Sequence, residues 1–374
     1  MKSLYLKFNR VYIILFAAFL ALTHVIAQET AESYIEGHLS RMSVDEKIGQ
    51  LFVVRLSGGH VINSTARALM NDYHIGGFIL FAPNVSSIEQ VQRLTSALQE
   101  ASSFPLFIAI DEEGGRVSRI RTLFNPRIGT AYSIGQSGDT QNAYDAAYTI
   151  GERLGKLGVN MNFAPVADIW SNPVNSVIGD RAYGREPNIT GEMTAAAVRG
   201  FREAGVLSVV KHFPGHGDTN EDSHYEQAVY PHDKERFDSI EAYPFRRGIE
   251  AGADGVMIGH IVTPQMHPDE PALPAVLSGY WIQEILRKDW GYDGLVITDA
   301  LDMEGLTRYY SGEEIALRAF AAGGDILLMP VNVSIAVNAI RNAYNQGSIT
   351  EERLDESVRR ILRAKYFIEK KTLE

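Results

Sequence analysis

The chain of 374 residues contains no cysteine, which excludes disulfides, thiolate metal sites and a lipid attached through a cysteine. Cations are the minority charge: 35 basic residues face 46 acidic ones, for a formal net charge of -11. A surface of that sign is a poor match for the phosphates of nucleic acid. Histidines number ten, yet no H-E-x-x-H and no helical i,i+4 pair is present, so neither a metal nor another cofactor is expected. No linker, low-complexity tract or block of like charge marks a second domain. Long apolar runs are also scarce. The one that stands out, Val11 to Ile26 behind Lys2, Lys7 and Arg10, is interrupted by Thr23 and His24 and falls short of the roughly 20 apolar residues a comfortable span needs. With Val25-Ile26-Ala27 offering small residues before Gln28, it reads as a signal peptide over residues 1–27. Residues 28–374 are then expected to form an exported chain, periplasmic or secreted, with no stable membrane span. The oligomeric state is not legible.

What is present is a large potential core, with 45% hydrophobic residues and 33 glycines, of a size that α/β barrels often fill as one domain. Beyond Gln28 a short apolar run is repeatedly followed by a longer amphipathic stretch. Strands are expected at Leu51–Val54, Gly77–Phe81, Leu106–Ile110, Met161–Phe163, Ser208–Val210, Val256–Ile258, Leu295–Thr298 and Ile326–Met329. Helical patterns lie between them, including Ser87–Ala101, Gln141–Leu157, Ile189–Ala204, Lys234–Ala251, Ser278–Lys288 and Gly312–Ala322, with Ile335–Asn345 and Glu351–Ile368 closing the chain. Eight such βα units predict a single (β/α)8 TIM-type barrel, with a doubly wound open sheet as the alternative. Barrel enzymes carry their chemistry where strands end, and the predicted strand ends bear Asp111, Asp168, Lys211, His212, His260 and Asp299.

The densest chemistry is Lys211-His212-Phe213-Pro214-Gly215-His216-Gly217-Asp218-Thr219, followed by Asp222-Ser223-His224. The β-branched run before it reads as a buried strand, and Pro214 with the glycines forces a loop. Asp222 and His224 are close enough in sequence for a carboxylate to set the tautomer and basicity of the imidazole, a pairing suited to proton transfer near neutral pH. Taken alone, a loop histidine beside an aspartate is commonplace. Asp299, after Gly294-Leu295-Val296-Ile297-Thr298, is either a reactive carboxylate or a helix cap, and Asp302 reads as a first-turn residue favoured by the helix dipole. Asp111 precedes Gly114-Gly115, which would let a ligand approach the backbone; its bland alternative is an ion pair with Arg116 or Arg119. Met303, Tyr183, Trp170 and Phe213 either line a pocket or fill the core.

These segments resemble glycoside hydrolase family 3, in its β-N-acetylhexosaminidase branch. The likeness rests on K-H-F-P-G-H-G-D-T with D-S-H, on Ile110-Asp111-Glu112-Glu113-Gly114-Gly115-Arg116-Val117, on Gly179-Asp180-Arg181-Ala182-Tyr183-Gly184, and on Val296-Ile297-Thr298-Asp299-Ala300-Leu301-Asp302-Met303. The resemblance implies Asp299 as nucleophile, His224 as general acid/base held by Asp222, and Asp111, Arg181, Lys211 and His212 as sugar-binding residues. It implies a retaining exo-β-N-acetylglucosaminidase acting on carbohydrate, either peptidoglycan fragments or chitooligosaccharides. Ordinary retaining glycosidases place two carboxylates about 5–5.5 Å apart; a histidine, titrating near neutral pH unaided, can replace the acid. Three rivals remain. A β-glucosidase of the same family would take its acid from a second domain, for which the sequence after the eighth strand offers no room. A phosphorylase would exploit the absence of a repelling carboxylate, and a sugar-binding protein without catalysis would not need both Asp299 and His224.

Overall fold

The computed structural model describes residues 31–223, 225–266 and 273–373. The expected signal peptide and His224 lie outside them. The predicted strands appear as β1 (Phe52–Arg55), β2 (Gly77–Leu80), β3 (Phe107–Ile110), β4 (Met161–Asn162), β5 (Leu207–Phe213), β7 (Gly255–Ile258), β9 (Leu295–Thr298) and β10 (Leu327–Leu328). Two short strands that the pattern did not announce, β6 (Ala228–Val229) and β8 (Ile261–Val262), pair with each other outside this set.

The eight principal strands are parallel, in the order β10-β1-β2-β3-β4-β5-β7-β9. Phe52 stands opposite Leu327 across the β1/β10 pair. At the other end a parallel bridge joins Ile297 to Ile326, and the Thr298 amide donates to the Ile326 carbonyl at 3.0 Å. The sheet therefore closes into the barrel, and the doubly wound alternative, which leaves two open edges, is excluded. Closure explains why β2, β3, β7 and β9 are buried along their whole length: one side packs the barrel interior and the other the helices, so runs of Val, Ile, Leu and Phe replace alternation.

The helices follow the predicted rhythm with two departures. Ser87 caps Ile88–Ala101 through a bond from the Gln90 amide at 3.1 Å, and Ser311 with Glu314 forms a capping box on Gly312–Ala322, as such residues at helix starts should. The helix expected over Lys234–Ala251 is two, Lys234–Ser239 and Ala242–Glu250. Pro244 gives the reason: inside one continuous helix it would lack the amide needed by Ile240, whereas in a first turn that amide has no helical partner anyway. The second departure is Tyr280–Asp289, which is π-helical.

Phe213 belongs to the core, not to a pocket. Fully buried, it meets Phe237, Phe245, Trp281 and Trp290 edge-on at 5.3–6.0 Å between ring centres, the geometry aromatic quadrupoles favour. At the opposite, N-terminal side of the barrel, the helix Glu351–Leu373 buries Lys365, whose ammonium bonds Gln50 Oε1 and lies 4.9 Å from the centre of the Phe107 ring. Burial pushes its pKa down to about 7. Because the unfolded state holds the proton up to roughly pH 10.4, it binds more protons than the fold between those values, and stability must rise with pH across that window. Lys365→Met is accordingly expected to stabilise by about 2–4 kcal/mol below pH 7, after loss of the Gln50 bond, with the gain fading towards pH 10. Denaturant titrations of both proteins at pH 6.5 and pH 9.5 check this.

Candidate active site

Three acidic residues leave the end of β3, and their environments separate them. Glu112 turns inward and is buried; its Oε2 accepts from the Arg119 and Ile120 amides at 2.8 and 3.2 Å, folding the following loop, and burial raises its pKa. The loop turns at Gly114 (φ 81°) and Gly115 (φ 52°), where a side chain would be strained. A Cβ at Gly115 would also lie 3.0 Å from Thr130 Cα. These glycines serve the loop's own packing.

Glu113 faces the barrel mouth. Its carboxylate takes two bonds from Arg181, through Nε and Nη2 at 2.8 Å each, and a third contact from Lys211 Nζ at 2.8 Å. Lys211 Nζ also donates to Asp111 Oδ1 at 2.8 Å, and Arg119 Nη2 reaches Asp111 Oδ2 at 3.5 Å. Side-chain exposure climbs from 3% at Lys211 and 5% at Glu113 to 20% at Asp111 and 27% at Arg119, so the cluster is sealed at its base and open at its top. Burial alone would neutralise these groups. Arg181 and Lys211 instead hold Glu113 below the usual carboxylate range, and Asp111 and Glu113 hold Lys211 above the usual lysine range. A buried triple pairing of this kind keeps charged donors and acceptors rigidly aimed at whatever fills the mouth.

Lys211 and His212 are consecutive in β5, where alternation would send their side chains to opposite faces. Both nevertheless join this cluster, because the β5/β7 register is irregular between Val210 and Phe213. Arg181 Nη2 lies 3.3 Å from His212 Nε2, and an arginine only donates, which makes Nε2 the acceptor. The proton then sits on Nδ1, 2.6 Å from Asp168 Oδ2. Asp168 is fully buried; burial opposes its charge, but His212 and His216 keep it ionised below the usual range.

Asp299 follows β9, its amide bonded to the Ile258 carbonyl at 2.9 Å and its Oδ1 accepting from the Ala300 amide at 2.7 Å. His260 Nε2 lies 2.7 Å from the Ala300 carbonyl and so must donate to it, fixing the chain immediately after Asp299. The charge of Asp299 acts on the buried His216 ring and on Asp302. Asp302 is not a first-turn residue: the next helix is Glu304–Thr307 with Met303 as its cap, and the cation near Asp302 is Arg55, at 3.7 Å. Burial together with Asp299 raises the Asp302 pKa. The carbonyl of Asp222 accepts from the Tyr225 and Glu226 amides at 2.9 and 3.0 Å.

The mouth thus gathers Asp111, Arg181, Lys211 and His212, while Asp299 follows β9, two strands on from β5 in the barrel order. Asp111 pairs with Lys211 and, at the longer distance, with Arg119, one of the two arginines expected beside it, whereas Arg116 bonds Asp180. Glu113 was not foreseen. In the run Asp111-Glu112-Glu113 only the fold tells which glutamate turns inward, although the second lies two residues after Asp111, the spacing that keeps a side chain on one face of an extended chain.

Known proteins resemble this chain in sequence and in fold. Residues 43–364 match the glycosyl hydrolase family 3 N-terminal domain. Beta-hexosaminidase A of Pseudoalteromonas piscicida is 37% identical over 79% of this chain and 54% of its own length. A glycoside hydrolase family 3 β-N-acetylglucosaminidase structure from Paenibacillus sp. superposes with a TM-score of 0.84 at 40% identity, covering 88% of this chain and 63% of that one. The β-glucoside phosphorylase BglX bound to 2FGlc superposes with a TM-score of 0.81 at 27% identity, covering 92% and 62%. This chain therefore spans between about half and two thirds of the length of these relatives. With its closed barrel and that match across most of its length, the chain belongs to glycosyl hydrolase family 3.

Proposed function

We propose that this chain is a retaining exo-β-N-acetylglucosaminidase, acting on peptidoglycan fragments or chitooligosaccharides. The observation that carries the reading is the buried Asp111–Lys211–Glu113–Arg181–His212 cluster at the mouth of a barrel whose strand β9 is followed by the carboxylate of Asp299. Sugar hydroxyls both donate and accept. Lys211 and Arg181 donate only, and Asp111 accepts only, so the cluster can grip a sugar ring by several directed bonds and reject one lacking those hydroxyls. The relatives' names, a beta-hexosaminidase and a β-N-acetylglucosaminidase, support the choice of an amino sugar.

In this mechanism Asp299 attacks the anomeric carbon, the bond to the leaving oxygen breaks, and His224 delivers a proton to that oxygen. The glycosyl ester on Asp299 is then cleaved by water, which gives its proton to His224 and restores both groups. Asp222 holds the imidazole in the required tautomer. A second reading, transfer of the glycosyl group to phosphate, is favoured by the likeness to a phosphorylase.

A general acid matters most when the leaving group is poor. His224→Ala should lose roughly 10²–10⁴-fold on a chitooligosaccharide but much less on a dinitrophenyl N-acetylglucosaminide. Equal losses on both would remove His224 from the proton-donor role. Running the wild-type assay with and without phosphate separates the two acceptors: hydrolysis leaves free sugar in both cases, phosphorolysis yields the sugar phosphate.

A further inference from the structure

The turn closed by the bonds from the Tyr225 and Glu226 amides to the Asp222 carbonyl is held from two sides. On one side Ser223, almost completely buried, lies with its hydroxyl 3.0 Å from His216 Nε2. His216 is itself a fixed post. Its amide donates to Asp168 Oδ1 at 2.6 Å, Asn175 Nδ2 donates to its carbonyl at 2.8 Å, and its Nδ1 is 2.7 Å from the Thr219 hydroxyl. Thr219 Oγ1 also lies 3.0 Å from the His216 carbonyl, a group that only accepts. The His216 ring is thus bonded at both nitrogens, by Thr219 on one side and Ser223 on the other.

On the other side stands Gly305, the second residue of the helix Glu304–Thr307 that follows Asp299. A Cβ at Gly305 would lie 2.5 Å from the Ser223 carbonyl oxygen and 2.9 Å from that of Glu226. Both contacts are backbone, so a methyl group there would displace the turn. The glycine is needed for close approach and not for an unusual φ, since its backbone lies outside the left-handed region. Ser223 thus ties the turn to the base of its own loop after β5, and Gly305 packs that turn against the segment after β9.

We propose that Ser223 and Gly305 are positioning residues for proton transfer: the Ser223–His216 bond and the bare face of Gly305 set where the turn bearing the acid/base stands relative to Asp299. The inference rests on the acid/base reading of His224. A displacement near 1 Å can cost a catalytic group about 100-fold. That loss must appear where proton donation limits the rate, which no general weakening of the fold would imitate.

The test compares Ser223→Ala, Gly305→Ala and His224→Ala in the full chain, on N,N′-diacetylchitobiose and on 2,4-dinitrophenyl N-acetyl-β-glucosaminide, with melting temperatures taken alongside. Ser223→Ala and Gly305→Ala should each fall ~10–100-fold in kcat/KM on the disaccharide and under ~3-fold on the aryl glycoside. Should Gly305→Ala fail to fold, Ser223→Ala carries the test, because it removes one hydroxyl and adds no atom to the packed turn. Equal losses on the two substrates, or no loss on the disaccharide, overturn the proposal. If His224→Ala itself fails to separate the two substrates, the acid/base reading is at fault and the proposal falls with it. If His224→Ala separates them and the other variants do not, only the positioning role is lost.

Discussion

Asp299→Ala should abolish turnover, with a loss of roughly 10⁴-fold or more even on an activated aryl glycoside, because no other group in the proposed scheme can form the glycosyl ester. The fold should be indifferent. Asp299 is only partly buried at the end of β9, and the bond it accepts from the Ala300 amide is of a kind worth about 1 kcal/mol. Circular dichroism and the melting transition should therefore match wild type. Activity within about tenfold of wild type on the aryl substrate would point instead to Asp302, which lies close enough to Asp299 for the two charges to interact.

Glu113→Gln should produce a different signature, losing stability and activity together. The amide preserves shape but removes the anion that receives Arg181 and Lys211 at 2.8 Å. Breaking a buried pairing from one side strands the remaining charges, which typically costs about 3–5 kcal/mol. With Lys211 and Arg181 free to shift, kcat/KM should fall by roughly 10²–10³-fold. Asp111→Asn is the comparison: its side chain is 20% exposed, so it should lose activity with a much smaller loss of stability. Chemical denaturation and steady-state kinetics on the two variants decide the point. Equal stability losses would mean that Glu113 does not hold the site together.

Much of this architecture is legible from the sequence because its rules are local. A four-residue run such as Leu295–Thr298, mostly β-branched and mostly apolar, has few uses other than a strand covered on both faces. Ser87 and Ser311 announce their helices by cap chemistry. Other features depend on contacts far along the chain. Closure through Ile297 and Ile326, the pairing of β6 with β8, and the inward turn of Glu112 against the outward turn of Glu113 are decided by tertiary packing. Phe213 shows the same limit, since its motif neighbours Lys211 and His212 face the mouth while it packs among aromatic rings. The sugar-binding candidates were found by family likeness; that Lys211 and His212 both reach the mouth depends on an irregular ladder that strict alternation would not foresee.

The central claim is that Asp299 becomes covalently bonded to the sugar. Incubating the full chain with a fluorinated amino-sugar analogue that slows the second step, followed by peptide mapping, tests it most directly, because the label marks both the reaction class and the atom that attacked. The account predicts a stoichiometric glycosyl adduct on the peptide containing Asp299, absent from Asp299→Ala. A label on Asp302, or an analogue that is turned over with no adduct at Asp299, would contradict it.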